Sequence, residues 1–358
     1  MEKIEKLISK LSESNFDAAL IMSPSNRLYF SEFNSSEGAI LILKEEAYFL
    51  VDFRYYESAK AKVKNMKVIL MTNFSESLKD LIKDKEIKNI VIEQNFITLN
   101  QFNFLKSIFK DLNVSIVDNN VLDKIISDLR MIKSDTEIKK IKAAQKISES
   151  AFKEILKEIK PEVTEKQIAN KLEYLIKLNG AEAVAFDLIV LSGKNTSLPH
   201  GVPSDKKIRN GDFVTIDMGA TYKGYRSDMT RTVAVGNISD FQKEVYDTVL
   251  NAQLSALSKV KPFLACSTLD ACARDIIDGS KFKGTFGHSL GHGVGIDIHE
   301  EPFVSKNSRS VLKEGMVITI EPGIYLENEF GVRIEDMVLV SKDSYENLTT
   351  ITKDLIIL

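Results

Sequence analysis

An apolar stretch that closes on a carboxylate occurs twice in the second half of this chain. Residues 211–219 read GDFVTIDMG and residues 315–323 read GMVITIEPG, agreeing at both outer glycines and at Thr215-Ile216 and Thr319-Ile320. The runs end on Asp217 and Glu321, and each is followed by a second apolar segment that starts on another acid, Asp228 or Glu335. Repetition of this kind marks one supersecondary unit used twice. Two copies that aim paired carboxylates inward are constrained to gather them around a shared axis, where a cation is the natural occupant.

The histidines point the same way. The chain has four, and three of them, His288, His292 and His299, lie in the stretch 287–302, GHSLGHGVGIDIHEEP, between the two acid-bearing copies. The fourth is His200. A metal site is the first expectation.

Strand parity explains how the acids meet. Side chains alternate faces along a strand, so Thr215 and Asp217 share one face and Val214 and Ile216 the other. Glycines at 219 and 224 let the chain reverse, bringing Asp228 back beside Asp217; Glu321 and Glu335 do the same over a longer turn. Arg333, two residues before Glu335, falls on the face of that acid, as Arg226 does with Asp228. Taken singly, each acid is an ordinary turn former; at repeat-related positions beside clustered histidines they read as ligands. Asp217, Asp228, His292, Glu321 and Glu335 are therefore the candidate metal ligands, with Asp297, Glu300 and Glu301 read as solvated or supporting.

Four carboxylates gathered out of water are prohibitive without counter-charge. Two divalent ions neutralise them. Oxygen-rich ligation with one imidazole suits Mn2+, Co2+, Fe2+ or Zn2+ better than Ca2+. Two such ions ~3.5–4 Å apart share a water, lower its pKa towards ~7 and polarise a carbonyl. The expected reaction is amide hydrolysis, with the other histidines and Arg333 binding a substrate carboxylate or the oxyanion.

Size and composition agree with a soluble enzyme. The chain has 358 residues, 44% of them hydrophobic, and a net charge of −3 of mixed sign, which gives no case for a nucleic-acid partner. The charged, amphipathic N-terminus is not a signal peptide, and no run approaches the ~18 apolar residues of a membrane span. The two cysteines, Cys266 and Cys272, read as buried free thiols on a helix capped by Ser267 or Thr268. A cytoplasmic location is expected.

The first part of the chain alternates strand signals near 18–22, 38–43, 47–51, 68–70, 90–92 and 115–117 with helical patterns near 2–13, 54–63, 75–85 and 98–110. That describes an α/β layer domain, 1–125. A junction follows near 118–134. Ser134 and Glu137 then form a capping box for a long helix, and a helix over 164–179 ends at Asn179-Gly180. Strands are expected at 184–191, 212–218 and 227–235, helices at 240–259 and from about 268, and a second strand set near 296–299, 316–322 and 333–341. The expected fold is α+β: a small α/β domain, then residues 126–358 as two helix-then-antiparallel-strand halves.

These residues resemble the pita-bread metallopeptidase family, in its Xaa-Pro aminopeptidase (aminopeptidase P) and prolidase branch. The matching stretches are Pro199–Gly201, Asp217–Ala220, Ser227–Thr232, Gly291–Gly295, His299–Pro302, Thr319–Tyr325 and Gly331–Asp336. More weakly, Asp52–Tyr55 is similar to the creatinase-type N-terminal domain of the family. The resemblance implies that Asp217 holds the first metal, that Asp228 and Glu335 bridge both, and that His292 and Glu321 hold the second, Glu321 also exchanging protons with the nucleophilic water. His200, His288, His299 and Arg333 would line the substrate site and stabilise the intermediate. It further implies two divalent ions, with Mn2+ favoured, a peptide substrate with proline second, and a homodimer. Ser289 stands where relatives often have Gly or Thr, and Arg226 where they commonly have a small residue; Arg226 is expected to narrow or charge one wall of the pocket.

Other readings of these residues fit less well. The stretch 287–291, GHSLG, fits the Gly-x-Ser-x-Gly elbow of an α/β-hydrolase, but lacks the preceding strand and a distant histidine. Gly291, Gly293 and Gly295 lack the Lys-Ser/Thr of a phosphate loop. A non-catalytic binding module on the same fold would have lost ligands, and none is lost. Methionine aminopeptidase would not need the N-terminal domain, which in the Xaa-Pro branch helps form dimers and restrict the site. Between trimming Xaa-Pro from longer peptides and cleaving Xaa-Pro dipeptides alone, the aminopeptidase is favoured.

Overall fold

The computed structural model describes residues 2–14, 16–117 and 119–358. Met1, which opens the amphipathic N-terminus, and Asp118, which opens the expected junction, lie outside them. The chain divides into two compact units, Met1–Arg130 and Met131–Leu358.

In the first unit the strands are continuous apolar runs, so both sheet faces must be covered. Ala18–Ile21, Ala39–Leu43 and Ala47–Val51 are buried throughout. They sit at the centre of a six-stranded mixed sheet whose order is Lys67–Leu70, Ala47–Val51, Ala39–Leu43, Ala18–Ile21, Asn89–Ile92, Ser115–Val117. Helices Phe74–Ile82 and Leu99–Asp111 pack Leu78, Ile82, Leu105, Ile108 and Phe109 against it. The expected junction instead contains a helix, Val121–Met131, that buries Leu122 and Ile126. Another, Pro24–Ser31, was not anticipated; Ser23 caps it and Pro24 opens it.

The second unit has the pita-bread architecture, built from two similar halves. In the first half, helices Asp135–Ile155 and Glu165–Leu178 start on capping boxes, Ser134 with Glu137 and Thr164 with Gln167. They bury Ile147, Phe152, Ile168 and Leu172 against Val214, Ile216, Met229 and Val233. In the second half, helices Asp240–Leu257 and Cys266–Asp278 bury Val245, Val249, Leu269 and Ala273 against Ile318, Ile320 and Val338. The last helix is capped by Ala265, not by Ser267 or Thr268. The Cys266 N–H donates to the Ser310 carbonyl instead, so no hydroxyl is needed. Both cysteines are free; Cys266 is buried but Cys272 only half-buried, and burial pushes the Cys266 thiol up to about 11. Among the described residues no helix is long and apolar enough to cross a membrane.

Two expected strands are broken and a third does not form. The run 184–191 divides into Ala183–Val184 and Ile189–Ser192, which join different sheets. The run 333–341 divides into Phe330–Arg333 and Asp336–Val340, leaving Glu335 in the gap. No strand forms at 296–299; the sheet there uses Gly291–Gly293 and Glu300–Val304.

Candidate metal centre

The acids stand at strand ends because the two copies pair differently. In the first half Asp217 lies opposite Thr230, which leaves Asp228 just beyond the paired register. The reversal between them is a tight turn, with Lys223 and Gly224 at φ 47° and 76° joining Tyr222 to Tyr225. In the second half Ile320 lies opposite Asp336, so Glu321 and Glu335 leave their strands side by side. The halves are stitched together at this level. The Glu335 N–H donates to the Thr230 carbonyl (3.1 Å), and the Thr230 hydroxyl donates to Glu335 Oε2 (2.7 Å). On the other face of that strand, buried Arg231 donates to Asp336 (2.7 Å).

His292 enters from Gly291–Gly293, where a side chain at Gly291 would lie 2.0 Å from the Thr319 carbonyl oxygen. Only a glycine lets the two backbones come this close. His292 Nδ1 lies 3.1 Å from the Gly293 carbonyl, which assigns the ring proton to Nδ1 and leaves the Nε2 lone pair free. Nε2 is 3.6 Å from Asp228 Oδ2 and 3.4 Å from Glu321 Oε1. One ligand atom each from Asp228, His292 and Glu335 lies within 4.8 Å of the others.

These groups are not satisfied by each other. Burial, then Glu335 and the other acids, holds Asp228 well above the usual carboxylate range. Glu335 is likewise raised well above it, by burial and Glu321, and burial pushes Glu321 up to about 8. Burial also lowers His292 to about 4, so it is a neutral donor and not a counter-ion. Asp217 Oδ1 is buried with no hydrogen-bond partner. An orphaned carboxylate oxygen, three acids with raised pKa and an imidazole lone pair form a donor set that divalent cations satisfy.

Arg333 and Glu335 both meet the Thr230 hydroxyl, although Glu335 stands outside the strand that ends at Arg333. Arg333 Nη2 donates to Asp217 Oδ2 (2.7 Å), Nε to Thr230 (3.1 Å) and Nη1 to the Tyr325 hydroxyl (2.9 Å). Tyr325 in turn lies 2.8 Å from His288 Nε2, and His288 Nδ1 lies 2.8 Å from the Ser289 carbonyl. Both His288 nitrogens are thus engaged within the protein, and burial, then Arg333, lowers this ring to about 4. Tyr325 received no role from the sequence. Its signal was the opposing Gly331, whose missing side chain leaves room for the ring: a Cβ there would lie 2.8 Å from Tyr325 Cδ1.

Asp217, Asp228 and Glu321 open onto a cavity of about 520 Å3 lined by His200, His288, His299, Ser289 and Arg333, with Phe186, Ile189, Ile298 and Phe303 as apolar wall. That volume suits a small ligand. His299 packs edge-on to His292, centroids 4.4 Å apart. The break at 185–188 is what pushes Phe186 and Asp187 towards this space. Arg226 is not among the residues lining the cavity; its Nη1 donates to the Ala185 carbonyl (2.8 Å), tying down that break. Glu300, read as solvated or supporting, is buried and paired with Lys133 at 3.2 Å.

Fold and site together define a metal-dependent hydrolase of pita-bread architecture. The chain belongs to metallopeptidase family M24, whose model matches residues 139–342, and the Creatinase/Prolidase N-terminal domain matches residues 3–132. It is 42% identical over 356 residues to an Xaa-Pro dipeptidase of Pyrococcus horikoshii, covering 99% of each chain. A solved Xaa-Pro dipeptidase from Bacillus anthracis superposes with a TM-score of 0.95 at 40% identity, covering 100% of this chain and 99% of that one. An X-Pro aminopeptidase from Thermotoga maritima superposes at 0.91 with 40% identity, covering 99% of each.

Proposed function

We propose that the chain is a two-metal Xaa-Pro dipeptidase. The observation that carries this is the convergence of Asp228, His292 and Glu335 within 4.8 Å, beside Glu321 and the orphaned oxygen of Asp217. The aminopeptidase preference drawn from sequence gives way here, because the P. horikoshii relative and the B. anthracis structure are Xaa-Pro dipeptidases.

In this reading Asp217, Asp228, His292, Glu321 and Glu335 would hold the two ions, with Arg333 keeping Asp217 Oδ2 and leaving its Oδ1 available; Mn2+ would be the favoured metal, with Co2+, Zn2+ and Fe2+ admitted. Bound there, such ions supply Lewis acidity towards the scissile carbonyl and acidify water. Arg333 adds one positive charge to the four acids, so two divalent ions leave a surplus of one, which a single anionic oxygen balances. Glu321 takes the proton of the attacking water and returns it to the proline nitrogen as the amide bond breaks. His200 and His299 remain to bind the substrate carboxylate, since both nitrogens of His288 are engaged. Arg333 and Tyr325 fix Asp217 and His288, and the apolar wall excludes water.

The test is substrate length. Metal-stripped protein reloaded with Mn2+ should cleave Ala-Pro with kcat/KM at least about 10-fold above Ala-Pro-Ala, the discrimination equivalent to ~1.4 kcal/mol. Equal or faster cleavage of the tripeptide would restore the aminopeptidase reading. Cleavage of Met-Ala-Ser in place of both would contradict the Xaa-Pro assignment.

A further inference from the structure

The segment 286–290, which leads into His292 and carries His288, belongs to no strand, so no sheet ladder fixes it. Three of its backbone groups are held from outside by one residue pair on helix Cys266–Asp278. Arg274 Nη1 donates to the Phe286 carbonyl and Nη2 to the His288 carbonyl, both at 2.8 Å. Its guanidinium is gripped by Asp270 through Nε (2.7 Å) and Nη2 (2.9 Å), and lies 4.2 Å from the centre of the Phe286 ring. Asp270, fully buried, also accepts the Leu290 N–H (3.1 Å). The Leu290 carbonyl in turn accepts the Glu321 N–H at 2.8 Å. Alternate residues of the segment, 286, 288 and 290, are therefore pinned to one ion pair, and the last of them abuts both His292 and Glu321.

We propose that Arg274, oriented by Asp270, is a positioning residue for the metal centre. It sets His288 against Tyr325 and holds His292 and Glu321 at the spacing a shared ion requires. The proposal rests on the reading of His292 and Glu321 as ligands of one ion. The planar fork is essential to it, because two carbonyls and a carboxylate are engaged at once, which a lysine ammonium does not reproduce.

The test compares wild type, Arg274→Met and Arg274→Lys by Mn2+ titration of the metal-stripped proteins, by kcat and KM on Ala-Pro at saturating Mn2+, and by thermal melting. Removal of outer-sphere support around a metal typically costs 10–100-fold in affinity or activity. Arg274→Met should weaken one of the two Mn2+ sites by about that factor and lower kcat similarly, with KM within about 2-fold. Millimolar guanidinium should restore part of the loss in Arg274→Met and none in wild type. Arg274→Lys should fall between. Folded Arg274→Met with wild-type Mn2+ affinity and kcat would overturn the proposal; if that variant does not fold, a folded Arg274→Lys with wild-type values overturns it equally. Wild type that binds two Mn2+ without cleaving Ala-Pro would contradict the functional reading alone, while the affinities still decide the role of Arg274.

Discussion

Asp228→Asn should lower kcat/KM on Ala-Pro by on the order of 10³-fold, the rate equivalent of about 4 kcal/mol of lost transition-state stabilisation. Asp228 is buried beside Glu335, Asp217 and Glu321, all of which repel its negative charge. Only a cation placed between them makes ionised Asp228 favourable, and the near-isosteric amide removes one of the charges that hold that cation. The stability effect should have the opposite sign. Without metal, burial and the neighbouring acids drive Asp228 towards its neutral form, a state the amide matches without taking up a proton, so the metal-free variant should melt no lower than metal-free wild type. A parallel loss of activity and melting temperature would instead assign Asp228 a structural role. Activity and calorimetry on the same preparations separate the two.

Metal-free wild type should lose stability as pH rises from 6.5 to 8, and added Mn2+ should cancel the loss. Two sets of groups act with opposite sign. His288 and His292 are lowered by burial from 6.5 to about 4, so the unfolded chain binds more protons than the native one in that interval. Their effect, shared by the lowered His299, makes stability rise with pH and fades as pH passes above 6.5. The raised acids act the other way. Between the ordinary carboxylate range and its folded value of about 8, Glu321 is protonated in the native chain and ionised in the unfolded one. Stability therefore falls with pH across that range, and above 6.5 this is the trend that remains. At 1.36 kcal/mol per unit, Glu321 alone contributes about 2 kcal/mol of loss between pH 6.5 and 8, and Asp228 and Glu335 add in the same direction. Asp336 is lowered from 3.8 by Arg231 and Lys353 against its burial, so it titrates below this window. Denaturant unfolding at pH 6.5 and 8, with EDTA and with Mn2+, measures the effect. A metal-free stability that rises over this interval would contradict the raised acids.

Much of this centre was legible in sequence because its ligands are held by short-range rules. Alternation along 213–218 is local, so the shared face of Thr215 and Asp217 could be read without a structure. The breaks could not. Ile189 pairs with Asp217 while the Ala185 N–H donates to the Gly219 carbonyl, so residues 186–188 bulge from an apolar stretch that reads as one strand. The displacement depends on a third strand and on Arg226. Glu335 similarly sits in a gap because its N–H pairs with Thr230, far away in sequence. The Ala265 cap was missed because its helix satisfies a terminal N–H through the Ser310 carbonyl, with no side-chain signature. The engagement of His288 with Tyr325 required knowing that Gly323–Leu326 pairs with Phe330–Arg333. Residue types named the chemistry; long-range pairing decided which polar atoms were left to perform it.

The proposed activity stands on a two-ion centre formed by Asp217, Asp228, His292, Glu321 and Glu335. Its most direct test is titration of metal-stripped protein with Mn2+, counting bound equivalents by elemental analysis while following Ala-Pro hydrolysis on the same samples. The expected result is no hydrolysis without metal, two Mn2+ per chain at saturation, and full activity only when both are bound. Saturation at one equivalent, or hydrolysis that persists in metal-free protein, would contradict it.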